Sequence, residues 1–191
     1  MIKKTLLKII SGYYCTKADF LFWLYGPYGV CNVLKVLPYP HIPMILRRYG
    51  ATIGKKCVID TGFQVHRPDS VTPFKNLKIG DQVYIGHNIL VDLTGEVVID
   101  SQAAIGANCQ IWTHTGDYTY DRSDYDEKIS PVHIGISSVV YSGSLISCGV
   151  NISDFARVGA GSVVLKDVKK YQYVAGVPAK EIRMRPLGEN R

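Results

Sequence analysis

The sequence lacks the features of a disulfide framework, a membrane span and a nucleic-acid module. Its five cysteines are scattered, with no C-x-x-C pair, which predicts reduced thiols and a cytoplasmic location. The most apolar stretch, residues 20–31, is interrupted by Gly26-Pro27 and is shorter than the ~20 residues of a transmembrane helix. The N-terminus resembles a signal peptide, but Lys8 interrupts it and no small-x-small cleavage site follows. No RNA- or DNA-binding motif is visible, so we expect no nucleic-acid partner.

Charge is distributed unevenly along a chain with the composition of a folded domain, 47% hydrophobic and 20% charged residues. Residues 1–48 hold seven basic residues and one acidic residue. Residues 49–154 hold seven basic and twelve acidic residues, and residues 155–191 hold eight basic and three acidic residues. Basic ends around an acidic middle indicate local binding of anions.

An aliphatic residue recurs at every sixth position through much of the chain. The longest run comprises Ile134, Val140, Ile146, Ile152, Val158 and Val164; a shorter run comprises Ile99, Ile105 and Ile111, and traces begin at Ile53 and Ile79. Four positions later come small or β-branched residues: Ser138, Ser144, Val150, Ala156, Ser162 and Val168, and in the shorter run Ala103, Cys109 and Thr115. A fixed period indicates a solenoid, and six is neither a helical period nor a simple strand alternation. It predicts a mainly β protein, a parallel β-helix in which each hexapeptide forms one face of a triangular coil.

The limits of this period divide the chain into three segments. Residues 1–48 are rich in aromatics, and we predict one or two short helices there, followed by an extended Pro-rich connector. Residues 49–170 form the coils, with a loop insertion at 117–133 and flat outer faces that favour a homotrimer. Residues 171–191 close the coil with a strand, a short helix and a basic tail.

Two interpretations of residues 1–48 stay open. The segment packs on the first coils and on a neighbouring subunit, or it forms an interfacial patch that contacts a membrane. Lys3, Lys4 and Lys8 beside aromatic residues suit the second interpretation, which places a cytoplasmic protein at the inner face of a membrane.

The strongest candidate for chemistry is His114, in the sequence Trp112-Thr-His-Thr-Gly116 at the end of a coil face. The insertion that follows carries five acidic residues and three tyrosines. A long insertion in a chain whose other turns are short commonly forms one side of a binding site. A histidine at its base can act as a general base near neutral pH, although a lone histidine is more often structural.

These residues resemble those of the hexapeptide-repeat O-acetyltransferases, the left-handed parallel β-helix family. Within that family the resemblance is to the maltose/galactoside and the colanic-acid and capsule-type sugar acetyltransferases. The matching segments are Leu46–Gly54, Thr113-His114-Thr115, Ile134-Gly135, Gly159–Val168 and Ala175–Lys180.

The resemblance implies direct transfer of an acetyl group from acetyl-CoA to a hydroxyl of a sugar or glycan precursor. His114 would remove the hydroxyl proton, without an acyl-enzyme intermediate. The backbone N–H of Gly143 corresponds to the family's oxyanion donor, while a simple tight turn is the other explanation of that glycine.

The resemblance also implies that the acetyl donor lies in a groove between adjacent subunits. Ser142, Ala160, Leu165 and Lys166 would line the pantetheine arm, and Lys180 and Arg183 would lie near the nucleotide phosphates. The excess of basic residues in 155–191 suits a polyanionic ligand, and a solvated basic tail is the alternative.

Three residues are candidates for contact with the acceptor. Asp92 falls where relatives place an asparagine that orients the sugar, and its carboxylate would accept hydrogen bonds from the sugar or orient His114. Trp112 would stack on a sugar ring or pack between subunits, and Asp117 would pair with the imidazole or lie in solvent. Val139 replaces an aromatic residue common in the family, which would alter the CoA or acceptor wall contributed by a neighbour. Tyr141 replaces a small residue and would narrow the donor site or point outward.

Other classes of protein share this architecture. A γ-type carbonic anhydrase needs three histidines on zinc, but His66 and His87 are separate from His114 and show no ligand spacing, so we expect no metal. N-acetyltransferases of amino sugars or serine use the same coils, and a non-catalytic assembly subunit is the remaining alternative.

Overall fold

The computed structural model describes residues 2–118 and 125–184, with side chains for 5–116 and 126–183. It begins with three helices, α1 (Ile2–Tyr25), α2 (Pro27–Val36) and α3 (Ile42–Arg48). The predicted Pro-rich connector is shorter than expected: residues 37–41, with Pro38 and Pro40, are not helical, and helix α3 begins at Ile42. Proline is tolerated in the first turn of a helix, where its missing N–H would have no partner, and both α2 and α3 begin in this way.

The period-six region forms three parallel sheets; each of five coils contributes one strand to every sheet, and sheet 2 has one further parallel strand. Strands are numbered in chain order. Sheet 1 contains β1 (Thr52–Ile53), β4 (Leu77–Ile79), β7 (Val97–Ile99), β12 (Val132–Ile134) and β15 (Asn151–Ile152). Sheet 2 contains β2 (Val58–Ile59), β5 (Tyr84–Ile85), β8 (Ala104–Ile105), β13 (Val139–Val140), β16 (Arg157–Val158) and β18 (Gln172–Ala175). Sheet 3 contains β3 (Gln64–His66), β6 (Leu90–Asp92), β9 (Gln110–Ile111), β14 (Leu145–Ile146) and β17 (Val163–Val164).

The residues of the sixfold period stack in register and form the core. Ile111 pairs with Ile146, which pairs with Val164, and the other two sheets repeat this arrangement. All of these side chains are buried, as are the small residues four positions later in the long run. Ser138 and Ser162 each donate a hydrogen bond to the carbonyl three residues back, both at 2.6 Å, which offsets the burial of a hydroxyl. The prediction of a three-faced parallel coil is therefore confirmed.

Thr115 departs from the pattern, because it is exposed. The chain has already left the coil there and enters a hairpin of β10 (His114–Tyr118) and β11 (Tyr125–Ile129), paired antiparallel. Described residues on both sides of the predicted loop insertion therefore pair as a hairpin, hereafter the site hairpin, and the coil resumes at β12. An ion pair between Arg67 and Glu127 joins the site hairpin to the end of β3.

The C-terminal closure also differs from the prediction. Where a short helix was expected, β19 (Lys180–Met184) pairs antiparallel with β18. An unpaired edge strand exposes backbone N–H and C=O groups, and β19 covers that edge at the end of sheet 2. The basic tail beyond residue 184 lies outside the described residues. All five cysteines are free thiols, as predicted.

Candidate active site

Three polar side chains meet where the strands of sheet 3 end. His66 ends β3, Asp92 ends β6, and the two residues are paired in register. His114 comes three positions after β9, the next strand of the same sheet. Parallel strands bring their carboxyl ends to the same edge, so residues 26 and 22 positions apart in sequence become neighbours.

Asp92 is fully buried and accepts hydrogen bonds on both carboxylate oxygens. Its Oδ2 accepts from the Thr113 N–H at 2.9 Å, the Thr113 hydroxyl at 2.7 Å and His114 Nδ1 at 2.7 Å. Its Oδ1 accepts from the Thr94 hydroxyl at 2.7 Å and the Thr94 N–H at 3.2 Å. The carboxylate is therefore held in one orientation by the two threonines and in turn fixes the imidazole.

These hydrogen bonds decide which form of Asp92 and His114 is present. Burial would raise the pKa of Asp92, but the hydrogen bonds from Thr113, His114 and Thr94 outweigh it and lower the pKa to about 2. An ionised carboxylate only accepts hydrogen bonds, so Nδ1 of His114 must carry a proton. In the neutral imidazole the lone pair then lies on Nε2, the nitrogen that can accept a proton from an acceptor hydroxyl.

The role expected of Asp92 needs correction. Direct contact between its carboxylate and a sugar is contradicted, because the side chain has no exposed surface and both oxygens are already occupied by protein donors. The other expected role, orientation of His114, agrees with the geometry.

His66 lies beside His114, although no role is predicted for it from the sequence, where it is considered only as a zinc ligand separate from His114. Its ring lies parallel to that of His114, with centroids 5.5 Å apart and an interplanar angle of 16°, and 5.4 Å from the ring of Trp112. Burial lowers the pKa of His66, and the nearby His114 lowers it further against the opposing effect of Asp92. A signal was available, since His66, Asp92 and Trp112 each directly follow a core residue of sheet 3.

Trp112 lies beside the imidazoles with its ring half-buried. Its centroid is 5.9 Å from that of His114, at an interplanar angle of 67°, and its indole N–H donates to Gln110 at 3.0 Å. Asp117 belongs to β10, opposite Asp126 in the site hairpin, and its side chain lies outside the described ones. Both residues stay predicted contacts of the acceptor.

The histidine cluster does not fit a metal centre. Ligand atoms of His66, Asp92 and His114 lie within 4.8 Å of one another. A metal on Asp92 would have to displace the hydrogen bonds from Thr113, Thr94 or His114. Among the other histidines that the structure describes, His133 hydrogen-bonds Asp100 at 2.7 Å, and His87 lies 3.6 Å from Asp60. The three-histidine arrangement of a γ-type carbonic anhydrase is therefore not assembled by the described residues.

The six residues expected to bind the acetyl donor lie on the last coils and are all exposed: Ser142, Ala160, Leu165, Lys166, Lys180 and Arg183. Ser142 and Ala160 precede strands of sheet 3, whereas Leu165 and Lys166 follow its last strand. Lys180 and Arg183 belong to β19, where the Arg183 guanidinium lies 5.9 Å from the ring centre of Tyr173. Within this one chain, Ser142 and His114 lie at opposite edges of sheet 3.

Gly143 occupies a turn with φ +76°, and Asn108 holds the equivalent position one coil earlier with φ +59°. The tight turn therefore accounts for the conformation of this glycine. Its N–H already donates to the Ala107 carbonyl at 2.8 Å. The preceding N–H, of Ser142, has no acceptor among the described residues, so it is the free donor of this turn.

Comparison with known proteins gives several relatives, although no protein-family model matches the chain. A "Putative acetyltransferase" of Staphylococcus aureus (strain COL) is 33% identical over 145 residues, covering 71% of this chain and 72% of the relative. The "Putative colanic acid biosynthesis acetyltransferase WcaF" of Escherichia coli is 28% identical over 141 residues, covering 74% and 73%. A yeast protein with a similar name is 35% identical over 109 residues, and the match spans only 56% of its length.

Solved structures share the fold at lower sequence identity. A hexapeptide-repeat acetyltransferase from Vibrio cholerae, crystallised with acetyl-CoA, has a TM-score of 0.72 at 21% identity, covering 92% of this chain and 89% of that one. A maltose O-acetyltransferase from Clostridium difficile has the same TM-score, identity and coverage. An N-acyltransferase from Bacillus cereus has a TM-score of 0.60 at 19% identity, covering 71% and 74%.

Proposed function

This chain belongs to the hexapeptide-repeat acetyltransferases, and on that premise we propose that it transfers an acetyl group from acetyl-CoA to a hydroxyl of a sugar or glycan precursor. The observation that carries the proposal is the buried Asp92–His114 pair, with Nδ1 to Oδ2 at 2.7 Å. Such a pair leaves Nε2 available as a general base. The left-handed coil sense of the family is part of this proposal.

The proposed reaction is a direct transfer. Nε2 of His114 takes the proton of the acceptor hydroxyl as its oxygen attacks the thioester carbonyl, and the ionised Asp92 stabilises the resulting imidazolium. The thioester C–S bond then breaks, and the leaving thiolate takes up the proton from His114. Cys148 does not suit a covalent route, because its thiol donates to the Thr113 carbonyl at 3.2 Å rather than to an imidazole.

The developing oxyanion needs a fixed N–H donor, and we assign it to the turn at Ser142-Gly143. The Ser142 N–H is the better candidate, because the Gly143 N–H would first have to leave Ala107. A donor that is already free and held by a rigid turn needs no rearrangement when charge develops.

We also propose a homotrimer with shared active sites, and the distance between base and donor turn supports the sharing. Cys148 contacts Thr113 beside His114 and lies five residues after Gly143, with β14 between them. At about 3.3 Å per residue this separation is roughly 16 Å, whereas reacting groups must approach to about 3 Å. The donor turn that serves His114 must therefore come from a neighbouring subunit.

The sugar class of the acceptor rests on relatives and on the wall of the site. A relative named for colanic acid biosynthesis and a solved maltose O-acetyltransferase both support a sugar. Trp112 offers an aromatic surface for a sugar ring, and the neighbouring His66 offers ring nitrogens for its hydroxyls. Five free cysteines support the predicted cytoplasmic location.

The proposal is tested by incubating the full-length protein with acetyl-CoA and a panel of mono- and oligosaccharides, amino sugars and serine. Mass spectrometry of the products identifies the acceptor, and lability to mild alkali distinguishes an O-acetyl ester from an N-acetyl amide. We expect an alkali-labile acetyl ester on a sugar. An alkali-stable product only on amino acceptors would establish the N-acetyltransferase alternative, and the absence of any product with correctly folded protein would contradict the proposal.

A further inference from the structure

The outward face of α1 carries an apolar stripe that the described part of the chain leaves uncovered. Helical spacing places five large side chains on this face. They and their exposed fractions are Leu6 at 54%, Ile9 at 65%, Tyr13 at 62%, Phe20 at 56% and Leu24 at 47%. The opposite face, which includes Ala18, packs on the core. The helix is therefore apolar on two sides, and only one of them is used within the chain.

Aromatic residues are concentrated where α1 meets α2. Trp23 is 78% exposed and its ring lies 6.1 Å from that of Phe20. Tyr25 and Tyr28 are also well exposed at the same corner. Tryptophan and tyrosine combine an apolar ring with a polar hydrogen-bonding group, which suits the boundary between acyl chains and water.

The charge around the stripe is positive. Lys8 and Lys17 are exposed on α1, and neither forms an ion pair within the described residues. The single acidic residue of this segment, Asp19, is bound by Arg48 through two hydrogen bonds of 2.8 and 2.6 Å, which compensates its charge. An exposed apolar stripe flanked by uncompensated lysines is complementary to an anionic lipid surface.

We propose that the outward face of α1 docks on an anionic lipid bilayer and lies in the plane of the interface. No helix of the described chain is long and apolar enough to cross a membrane, so the contact is peripheral. A second copy of the chain is the rival occupant. A neighbouring subunit of the proposed homotrimer would have to place acidic residues opposite Lys8 and Lys17, whereas anionic headgroups neutralise these lysines without a specific partner.

The test is flotation of the full-length protein with vesicles of phosphatidylcholine alone or mixed with phosphatidylglycerol. We expect flotation with the anionic vesicles, weakening as salt increases, and little with phosphatidylcholine alone. The double variant Phe20→Gln/Trp23→Gln should bind the anionic vesicles more weakly than wild type, on the order of tenfold or more. Replacing Lys8 or Lys17 with Gln should weaken it about fivefold each. Val71→Gln, an equally exposed apolar residue on the coil, is the matched control and should bind like wild type.

Tryptophan fluorescence and oligomer mass provide two further measurements. The fluorescence of Trp23, measured in a Trp112→Phe background, should shift to the blue with anionic vesicles even if the double variant fails to fold. The proposal would be overturned if the wild-type protein does not float and the fluorescence of Trp23 in the Trp112→Phe variant does not shift. So would a fall in the oligomer mass of Phe20→Gln/Trp23→Gln by sedimentation equilibrium together with unchanged vesicle binding, because the face would then be a subunit contact.

Discussion

At the scale of single residues, the proposed chemistry depends on a carboxylate that never meets the substrate. Asp92 is buried beneath His114 and is held by Thr94 and Thr113, so its effect reaches the reaction only through the imidazole. It is a positioning residue whose charge also stabilises the protonated form of His114. This arrangement distinguishes a role in catalysis from a role in acceptor binding.

Replacing Asp92 with Asn should therefore lower kcat by about 10²–10⁴ and leave the KM for the acceptor nearly unchanged. A neutral amide stabilises an imidazolium less than a carboxylate does. Its NH₂ group would also face hydrogen-bond donors at a position where the carboxylate oxygen accepts from them. Steady-state kinetics with the acceptor identified by the product screen will check this. A raised acceptor KM with unchanged kcat would instead mean that Asp92 binds the sugar.

The same residue predicts how stability depends on pH. The folded-state pKa of Asp92 is about 2, below the ordinary 3.8, because its hydrogen bonds outweigh the effect of burial. Its contribution to the free energy of unfolding is complete above about pH 4 and is lost as pH falls from about 4 towards 2. It amounts to about 2 kcal/mol. Urea unfolding at a series of pH values should show a shallower acid decline for Asp92→Asn than for wild type, and parallel curves would contradict the assignment.

The sequence could supply some of these residues and not others. His114 and Trp112 were predicted because they directly precede the break in the sixfold period. His66 was not predicted because it is far from His114 in sequence, although the core residues Val65 and Val91 align His66 with Asp92. Thr94 gave no signal at all, since its hydroxyl matters only through the buried carboxylate.

At the scale of elements, the site hairpin is the main departure from a regular coil. His114 is its first residue, and the Arg67–Glu127 ion pair joins the hairpin to the end of β3 beside His66. The hairpin therefore forms a wall whose position relative to the histidines is fixed by a contact between distant parts of the chain.

Removing the Arg67–Glu127 ion pair should affect binding of the acceptor more than binding of acetyl-CoA. Arg67→Gln should raise the KM for the acceptor several-fold with little change in the KM for acetyl-CoA. Because the pair is partly exposed, the free energy of unfolding should fall by no more than about 1 kcal/mol. Lys78→Gln, which removes another partly exposed ion pair, is the matched control. Unchanged acceptor kinetics in Arg67→Gln would show that the hairpin does not shape the site.

Element boundaries were predictable only where the period holds. The coil strands follow from it because each core residue has one place in a triangular coil. Residues 1–48 have no such constraint, and the three helices there depend on packing between α1 and α2 and on prolines that suit a first helical turn. The C-terminal strand β19 pairs with the edge strand β18 of sheet 2. This pairing could not be predicted because no local pattern in the sequence indicates that the sheet has an open edge there.

At the scale of the whole molecule, base and donor turn lie at opposite edges of one sheet, so the proposed site is complete only between subunits. Ser142→Pro removes the free N–H of the turn and should lower kcat by about 10²–10³. Ala107→Pro, at the equivalent turn position one coil earlier, should leave kcat unchanged. Loss of activity in both variants would indicate instead that proline at this turn position disturbs the coil structure.

An active site formed between two subunits also predicts complementation between two inactive variants. Mixed oligomers of His114→Ala and Ser142→Pro should regain measurable activity, because some sites would combine an intact base with an intact donor turn. If base and donor turn of one subunit worked together, every site would keep one defect and the mixture would stay inactive. Co-expression with two affinity tags, followed by an activity assay, makes the measurement.

The most direct test of the general-base assignment is kcat for His114→Ala compared with His133→Ala. His133 is a partly exposed histidine that pairs with Asp100 away from the site, so it controls for the loss of an imidazole. We predict that His114→Ala lowers kcat by about 10²–10⁴ with the fold intact, while His133→Ala stays within about twofold of wild type. Equal activity in the two variants would contradict the role of His114.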